Sequence, residues 1–323
     1  MTDGSKHGLS QEDTFEMPNS IGEVVSRRSV LKFSGAAAAL VSVAQYAPIL
    51  VPTSPAKAAA DLAEPDQLLR TLVRMRGSLD EQLAYVWLKG KRFAISNNQI
   101  KPMCGYSGLG ITRYRPLDDG SYEFKLYELS YYTDLETGQQ LERLAMPFTE
   151  NTVEVPLYRT GPGTHILLIE NSETLRWDST KTGGSDDSAA QLAPDASIYY
   201  DIQIQPAITA GNNVFIRSDS MTRMVPDDPD EKGLLYKEAI TYRGNMRDID
   251  ESDTASVPST MTFAIATSWR PWMQMGALPG HTTTDGFGGK SLSVDGLPSD
   301  ILQLTEQHHP DVLENPEKLL DGA

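Results

Sequence analysis

The feature that most constrains this chain is a run of short alternating segments broken by turns, extending from Leu109 to Ile169. Ile111-Thr112-Arg113-Tyr114-Arg115 reads as one strand, and Leu117-Asp118-Asp119-Gly120 places glycine where a turn requires positive φ. Tyr122, Phe124 and Leu126 then alternate with Glu123 and Lys125, after which the apolar set moves to Tyr127, Leu129 and Tyr131. A slip of one residue carries every side chain to the other face, so this switch predicts a bulge near Tyr127 or Glu128. Asp134-Leu135-Glu136-Thr137-Gly138 is the next hairpin turn, with Leu141 and Leu144 on the returning strand. Phe148-Thr149-Glu150-Asn151-Thr152 turns into Val153-Glu154-Val155, and His165-Ile166-Leu167-Leu168-Ile169 is the continuous apolar run of a central strand.

The rest of the chain fits the same rhythm. Leu83-Ala84-Tyr85-Val86-Trp87-Leu88, a tight turn at Gly90 and Phe93-Ala94-Ile95 read as two paired strands. Further strands are expected over residues 198–204, 214–217 and 260–267, while 234–242 stays open between helix and strand. Helices are few: a short amphipathic one after Pro65 ending at Gly77, and two in the C-terminal tail, over 299–308 and around 314–320. Residues 178–195 and 227–231 read as surface loops. Turns spaced by roughly 8 to 14 residues, without a strand–helix–strand crossover, argue an all-β domain with minor α content. Its expected form is an antiparallel barrel or strongly curved sheet with flanking helices, a two-sheet sandwich being the alternative.

That single domain is expected to run from 61 to 323, because residues 1–60 carry a different signal. Ser26-Arg27-Arg28-Ser29-Val30-Leu31-Lys32 has the twin-arginine pattern, followed by a mildly apolar, alanine-rich stretch interrupted by Gly35, Gln45 and Pro48. The stretch is too broken for a stable spanning helix, and Ala56-Lys57-Ala58 offers the small residues a signal peptidase reads. The chain is therefore expected to meet the twin-arginine translocase and signal peptidase, to be cut near Ala58 or Ala60, and to work in the periplasm or outside the cell. No later apolar run approaches the roughly 20 residues of a membrane helix, so no membrane insertion is expected after cleavage.

The net charge is −16, and the first 58 residues carry five basic and five acidic groups, so the mature part holds all of the excess. Such a surface repels phosphate backbones and excludes nucleic acid as an expected partner. The single cysteine, Cys104, rules out an intramolecular disulfide and reads as a small buried hydrophobe. No His-x-His, His-Glu-x-x-His or calcium loop is present, so no metal and no cofactor is expected. Gly-x-Ser-x-Gly, phosphate-loop and dinucleotide fingerprints are likewise missing.

The densest cluster of recognition-type residues is Ser268-Trp269-Arg270-Pro271-Trp272-Met273-Gln274-Met275-Gly276, closed by glycine-rich turns up to His281. Trp269, Trp272, Met273 and Met275 could form an adaptable apolar wall, with Arg270 reading an anionic or carbonyl group; the same side chains could instead plug one end of a barrel. Among histidines, His165 and His281 are the candidate imidazoles, whereas His308-His309 reads as solvent-exposed. Arg113, Tyr114 and Tyr131 add a candidate tyrosine–arginine pair that could polarise a carbonyl or donate a proton, although cross-strand packing explains the same residues.

Two segments resemble an uncharacterised family, domain-of-unknown-function family 1838. One is residues 122–156, with Tyr131-Tyr132-Thr133-Asp134 leading into Glu136-Thr137-Gly138. The other is residues 269–298, carrying Trp272-Met273-Gln274-Met275-Gly276, Pro279-Gly280 and Leu297-Pro298. The chain departs from that pattern at Met146-Pro147-Phe148-Thr149-Glu150-Asn151, where relatives carry Asn-Pro before a Thr-Gly turn. The resemblance implies an exported bacterial protein and brings no catalytic residue with it. The expected function is an aromatic-lined pocket for a small apolar or aromatic molecule, with metal-independent lyase, isomerase or hydrolase chemistry open. A non-catalytic carrier and an envelope interaction module are the alternatives.

Overall fold

The computed structural model describes residues 62–168, 172–176, 197–225, 233–251 and 253–322, so the twin-arginine segment and the two surface loops named above lie outside the described residues. The chain begins there with helix α1 (Pro65–Arg76), which has proline in its first turn. Its Leu68, Leu69, Leu72, Val73 and Met75 are buried, the i, i+3, i+4, i+7 stripe of an amphipathic helix. Gly77 closes it, its N–H donating to the Val73 carbonyl at 2.7 Å.

Three long strands follow: β1 (Ala84–Ser96), β2 (Gln99–Pro116) and β3 (Tyr122–Thr133). Short β4 (Arg143–Ala145) and β5 (Thr152–Glu154) pair apart from the main sheet. The sheet resumes with β6 (Tyr158–Leu168), β7 (Ser172–Arg176), β8 (Ser197–Ile204), β9 (Ile208–Ala210), β10 (Asn213–Val225) and β11 (Leu234–Asn245). After the single turn of α2 (Met246–Asp250) come β12 (Thr260–Ser268) and β13 (His281–Ser291), then α3 (Ser299–His308), α4 (Pro310–Glu314) and α5 (Pro316–Leu320).

The main sheet has the order β11-β12-β13-β1-β2-β3-β6-β7-β8-β10-β9, with β11 also paired to β10. Among the described residues every ladder is antiparallel, and the join between β7 and β8 consists of one residue pair, Ser172 with Gln203. The result is a strongly curled half-barrel with a concave and a convex face, as expected from the sequence. Region 234–242, open in the sequence, is strand: β11 pairs along its length with both β10 and β12.

One correction concerns glycine. Gly90 does not turn the chain; β1 runs straight through it, and the turn falls at Asn97 and Asn98, both at positive φ. Residues 281–291, to which the sequence assigned no element, form the full strand β13. The glycines of both strands have one cause. Gly90, Gly286 and Phe263 lie in one cross-strand row, and a Cβ on Gly286 would sit 2.6 Å from the Phe263 ring and 2.2 Å from the Lys89 carbonyl oxygen. Glycine is there for the close approach of a ring across a curved sheet, not for a turn.

The bulge expected near Tyr127 or Glu128 is present as a register shift of β3 against β6 between Leu126 and Glu128. Against β2, however, β3 alternates without a break from Tyr122 to Thr133. The extra residue belongs to β6, at Gly161, whose φ is +109° and whose Cβ would lie 2.5 Å from the Leu126 carbonyl oxygen. The change of apolar face along β3 has another origin. Phe124 packs on α1 from the concave side, whereas Tyr127, Leu129 and Tyr131 pack on the convex side under α3, α4 and α5 through Ile301, Leu304, Val312 and Leu320. His309 is buried there as well, its ring 5.9 Å from Tyr131, so it is not the solvent-exposed residue the sequence suggested.

Candidate functional site

Curling leaves a cavity of about 350 Å3 on the concave face, between α1 at one end and the 269–278 segment at the other. That size falls within the range of small-molecule sites. Alternation along the strands decides which side chains reach it. From β1 come Val86, Leu88 and Arg92; from β2, Tyr106, Gly108, Gly110, Thr112 and Tyr114; from β3, Phe124, Leu126, Glu128, Ser130 and Tyr132. Strand β11 supplies Leu234, Tyr236, Glu238, Ile240 and Tyr242, and Met261 and Ile265 of β12 complete the wall beside it.

The two ends differ in chemistry. Toward α1 the walls are aliphatic and aromatic: Leu126, Ile240, Met261 and the stacked rings of Tyr114 and Phe124, with centroids 5.1 Å apart. Arg76 of α1 caps this end, its guanidinium 4.7 Å from the Phe124 ring centroid. Gly108 and Gly110 keep the floor low, and a Cβ on Gly110 would meet only ordinary contacts at 3.6 Å and beyond. Toward residues 269–278 the walls are polar. Arg92, 2% exposed, donates from Nε to Thr284 Oγ1 at 2.8 Å and from Nη1 to Tyr132 Oη at 3.0 Å. Its guanidinium lies 4.8 Å from the Tyr132 ring and 5.8 Å from that of Tyr106. Tyr106 and Ser130 share a hydrogen bond of 3.1 Å, and Tyr236 donates to Glu238 Oε1 at 3.0 Å. Arg270 stands over the Tyr236 ring at 5.8 Å.

Burial holds the phenols of Tyr106, Tyr158 and Tyr236 above their ordinary value, so all three keep their protons as hydrogen-bond donors at neutral pH. Cys104, buried behind Arg92, is pushed up to about 11 by desolvation and remains a thiol. Among the described residues no group of three or more His, Cys, Asp or Glu side chains converges to hold a metal.

The residues singled out in the sequence are distributed unevenly around this cavity. Tyr114 and His165 line it, the His165 ring stacked on Phe124 at 4.4 Å. Arg113 and Tyr131 stand on the convex face instead. Arg113 pairs with Asp321 at 2.5 Å, and the Tyr131 hydroxyl donates to Thr305 under α3 at 3.3 Å, burial pushing that phenol up to about 12. His281 is exposed at the start of β13, apart from the cavity walls. Of the tryptophan–methionine segment, Arg270 reaches the cavity. Trp269, Trp272, Met273 and Met275 pack behind it with Met103, Cys104, Leu144, Met146, Val153 and Val155. The segment thus serves as an end plug that presents one arginine. Sequence reasoning missed Arg92, Glu128, Tyr158, Tyr236 and Glu238. Alternation from Ala84 through Val86, Leu88 and Gly90 to Arg92 was the available signal for the first.

Residues 80–158 and 231–323 match the family model described as Protein of unknown function (DUF1838), together more than half of the chain. The chain belongs to the DUF1838 family. The polar residues named above, from Arg92 to Tyr158 and from Tyr236 to Arg270, fall within the two blocks matched to DUF1838, while α1 and most of β6 through β10, with the cavity-lining Ser220 and Thr222, lie outside them. No curated protein matches this DUF1838 chain. Among solved structures it is similar to the crystal structure of a DUF1329 family protein from Desulfovibrio piger, at 14% identity and a TM-score of 0.20, over 80% of this chain and 99% of that one. A TM-score that low carries no argument.

Proposed function

We propose that this protein binds a small amphipathic molecule in the concave cavity, with the apolar part toward α1 and the polar part toward the Tyr–Arg end. The observation that carries this reading is the division of one 350 Å3 space into an apolar and a hydrogen-bonding half. A solid core would leave no such space, and a purely apolar ligand would leave the Arg270 Nε, which finds no partner among the described residues, unsatisfied at a cost of about 1–3 kcal/mol. Glu128, whose side chain is exposed, marks where the cavity meets solvent. The test uses a neutral apolar fluorophore, N-phenyl-1-naphthylamine. Its emission should rise on binding the wild type and stay flat with Gly110→Phe, which fills the cavity floor. Equal binding to both proteins would place the ligand elsewhere.

A second reading, catalysis on the bound molecule, is favoured by one contact, the hydrogen bond between Tyr236 and Glu238. A protonated phenol beside a carboxylate can move a proton to or from a ligand. Mass spectrometry of ligand recovered after incubation distinguishes the two: conversion that stops in Tyr236→Phe supports chemistry, and unchanged recovery supports carriage.

The proposed site of action is outside the cytoplasm, supported by Arg27-Arg28 and the broken apolar stretch after it. Arg27→Lys combined with Arg28→Lys should retain uncut precursor in the cytoplasm, as a cell fractionation would show. Export unaffected by this double change would remove the twin-arginine assignment.

A further inference from the structure

We infer that the polar end of the ligand is a monoanionic head group, a carboxylate, held between the guanidinium groups of Arg92 and Arg270; this rests on the ligand-binding reading above. The argument starts from a charge without a counter-charge. Arg92 is almost wholly removed from solvent, yet it lines the cavity, and both of its hydrogen bonds go to neutral hydroxyl groups, those of Thr284 and Tyr132. Among the described residues no carboxylate lies within 4.0 Å of it. A guanidinium cannot shed its charge, and burying one without an ionic partner is strongly unfavourable. The tyrosine rings at 4.8 Å and 5.8 Å offset only part of this.

Arg270 lines the same cavity and repeats the pattern. Its buried Nε has no hydrogen-bond partner among the described residues, and its guanidinium stands over the face of the Tyr236 ring. Tyr158 lines the cavity together with both arginines, so the three groups border one space. A planar carboxylate there could accept from both guanidinium groups and from a phenol that keeps its proton, the pattern of charge-assisted hydrogen bonding.

Two carboxylates face the same end and limit how much negative charge it accepts. Glu238 is occupied with Tyr236, and Glu128 is exposed, so water screens it far more than it screens Arg92. That balance favours a single negative charge over a double one. The long apolar wall toward α1 then requires an aliphatic or aryl carboxylate, not a small free anion.

The experiment measures displacement of N-phenyl-1-naphthylamine by decanoate and by the neutral decanamide, in full-length protein whose folding is checked by thermal unfolding. Decanoate should displace the probe at about tenfold lower concentration than decanamide, equivalent to ~1.4 kcal/mol for a charge-assisted contact. Arg270→Gln should remove most of that preference, and Arg270→Lys should keep most of it. Equal displacement by the two compounds in the wild type, or a preference that survives Arg270→Gln, overturns the anion assignment. Loss of affinity for both compounds alike in Arg270→Gln also overturns it, since packing would then be what the arginine supplies. A wild type that fails to bind the probe at all removes the ligand-binding reading itself, and this inference with it.

Discussion

The guanidinium of Arg92 donates to the hydroxyl of Tyr132 across 3.0 Å, inside a curled sheet and out of reach of bulk water. The two residues come from strands β1 and β3, which do not pair with each other but both flank β2, so their contact spans the floor of the cavity. Removing the hydroxyl leaves a charged donor unsatisfied where nothing replaces it. Tyr132→Phe is therefore expected to destabilise the protein by about 1.5–3 kcal/mol, read as a lower urea midpoint at constant slope. A change below about 0.5 kcal/mol would mean that water reaches Nη1.

Gly286 and Gly110 are both strand glycines and should respond in opposite ways to one methyl group. At Gly286 the new Cβ meets the Lys89 carbonyl oxygen and the Phe263 ring, backbone and ring together, so neither can yield cheaply. Gly286→Ala is expected to cost about 1–3 kcal/mol through overpacking. At Gly110 the nearest atoms are the Leu126 and Val86 side chains at ordinary contact distance. Gly110→Ala should stay within about 0.5 kcal/mol of wild type while reducing probe affinity. Paired denaturation curves check both, and similar losses at the two positions would contradict the picture of an open floor.

The curled all-β architecture was legible because turn residues and alternation act locally: Asp119, Gly120, Asp134 and Gly138 make their turns with side-chain and backbone groups a few residues away. The cavity was not legible, because its polar end is a cross-strand property. Arg92 sat hidden behind Gly90, which looks like a turn until Phe263, far along the chain, is seen lying across it. Tyr236 and Glu238 sat in a segment whose strand character depends on pairing with β10 and β12. The tryptophans of residues 269–278 drew attention by their size, but large rings are also what closes the end of a curled sheet. The arginine between them is the part that reaches the cavity.

The C-terminal helices should behave as a cover for the convex face. Ile301 is fully buried against Tyr85, Leu109, Ile111 and Leu129, and Asp321 ties α5 to Arg113 and Lys125 at 2.5 and 2.7 Å. Ile301→Ala removes buried methyl groups and is expected to cost about 2–5 kcal/mol. Asp321→Asn breaks exposed pairs and should cost no more than about 1 kcal/mol. Amide hydrogen exchange should show the first change loosening β2 and β3 and the second confined to α5.

Lys290 gives the sharpest pH signature. Its ammonium donates to the Arg74 carbonyl at 2.6 Å, the Gly77 carbonyl at 2.9 Å and Ser256 Oγ at 2.5 Å, joining the end of α1 to β13 and the loop before β12. Desolvation, with Arg74 nearby, pulls its pKa down to about 7 from an ordinary 10.5. A lysine with a depressed folded value makes the unfolded chain bind more protons between those limits, so stability rises with pH across that window. Below about pH 7 the penalty of holding the buried charge is complete; above 10.5 it has vanished. Wild type is therefore expected to gain stability from pH 7 to 10.5 relative to Lys290→Met, measured by paired urea titrations at each pH. A difference between the two proteins that stays flat over that range would show that the three oxygen acceptors hold the lysine at its ordinary value. A difference that falls with pH would mean they hold it above that value.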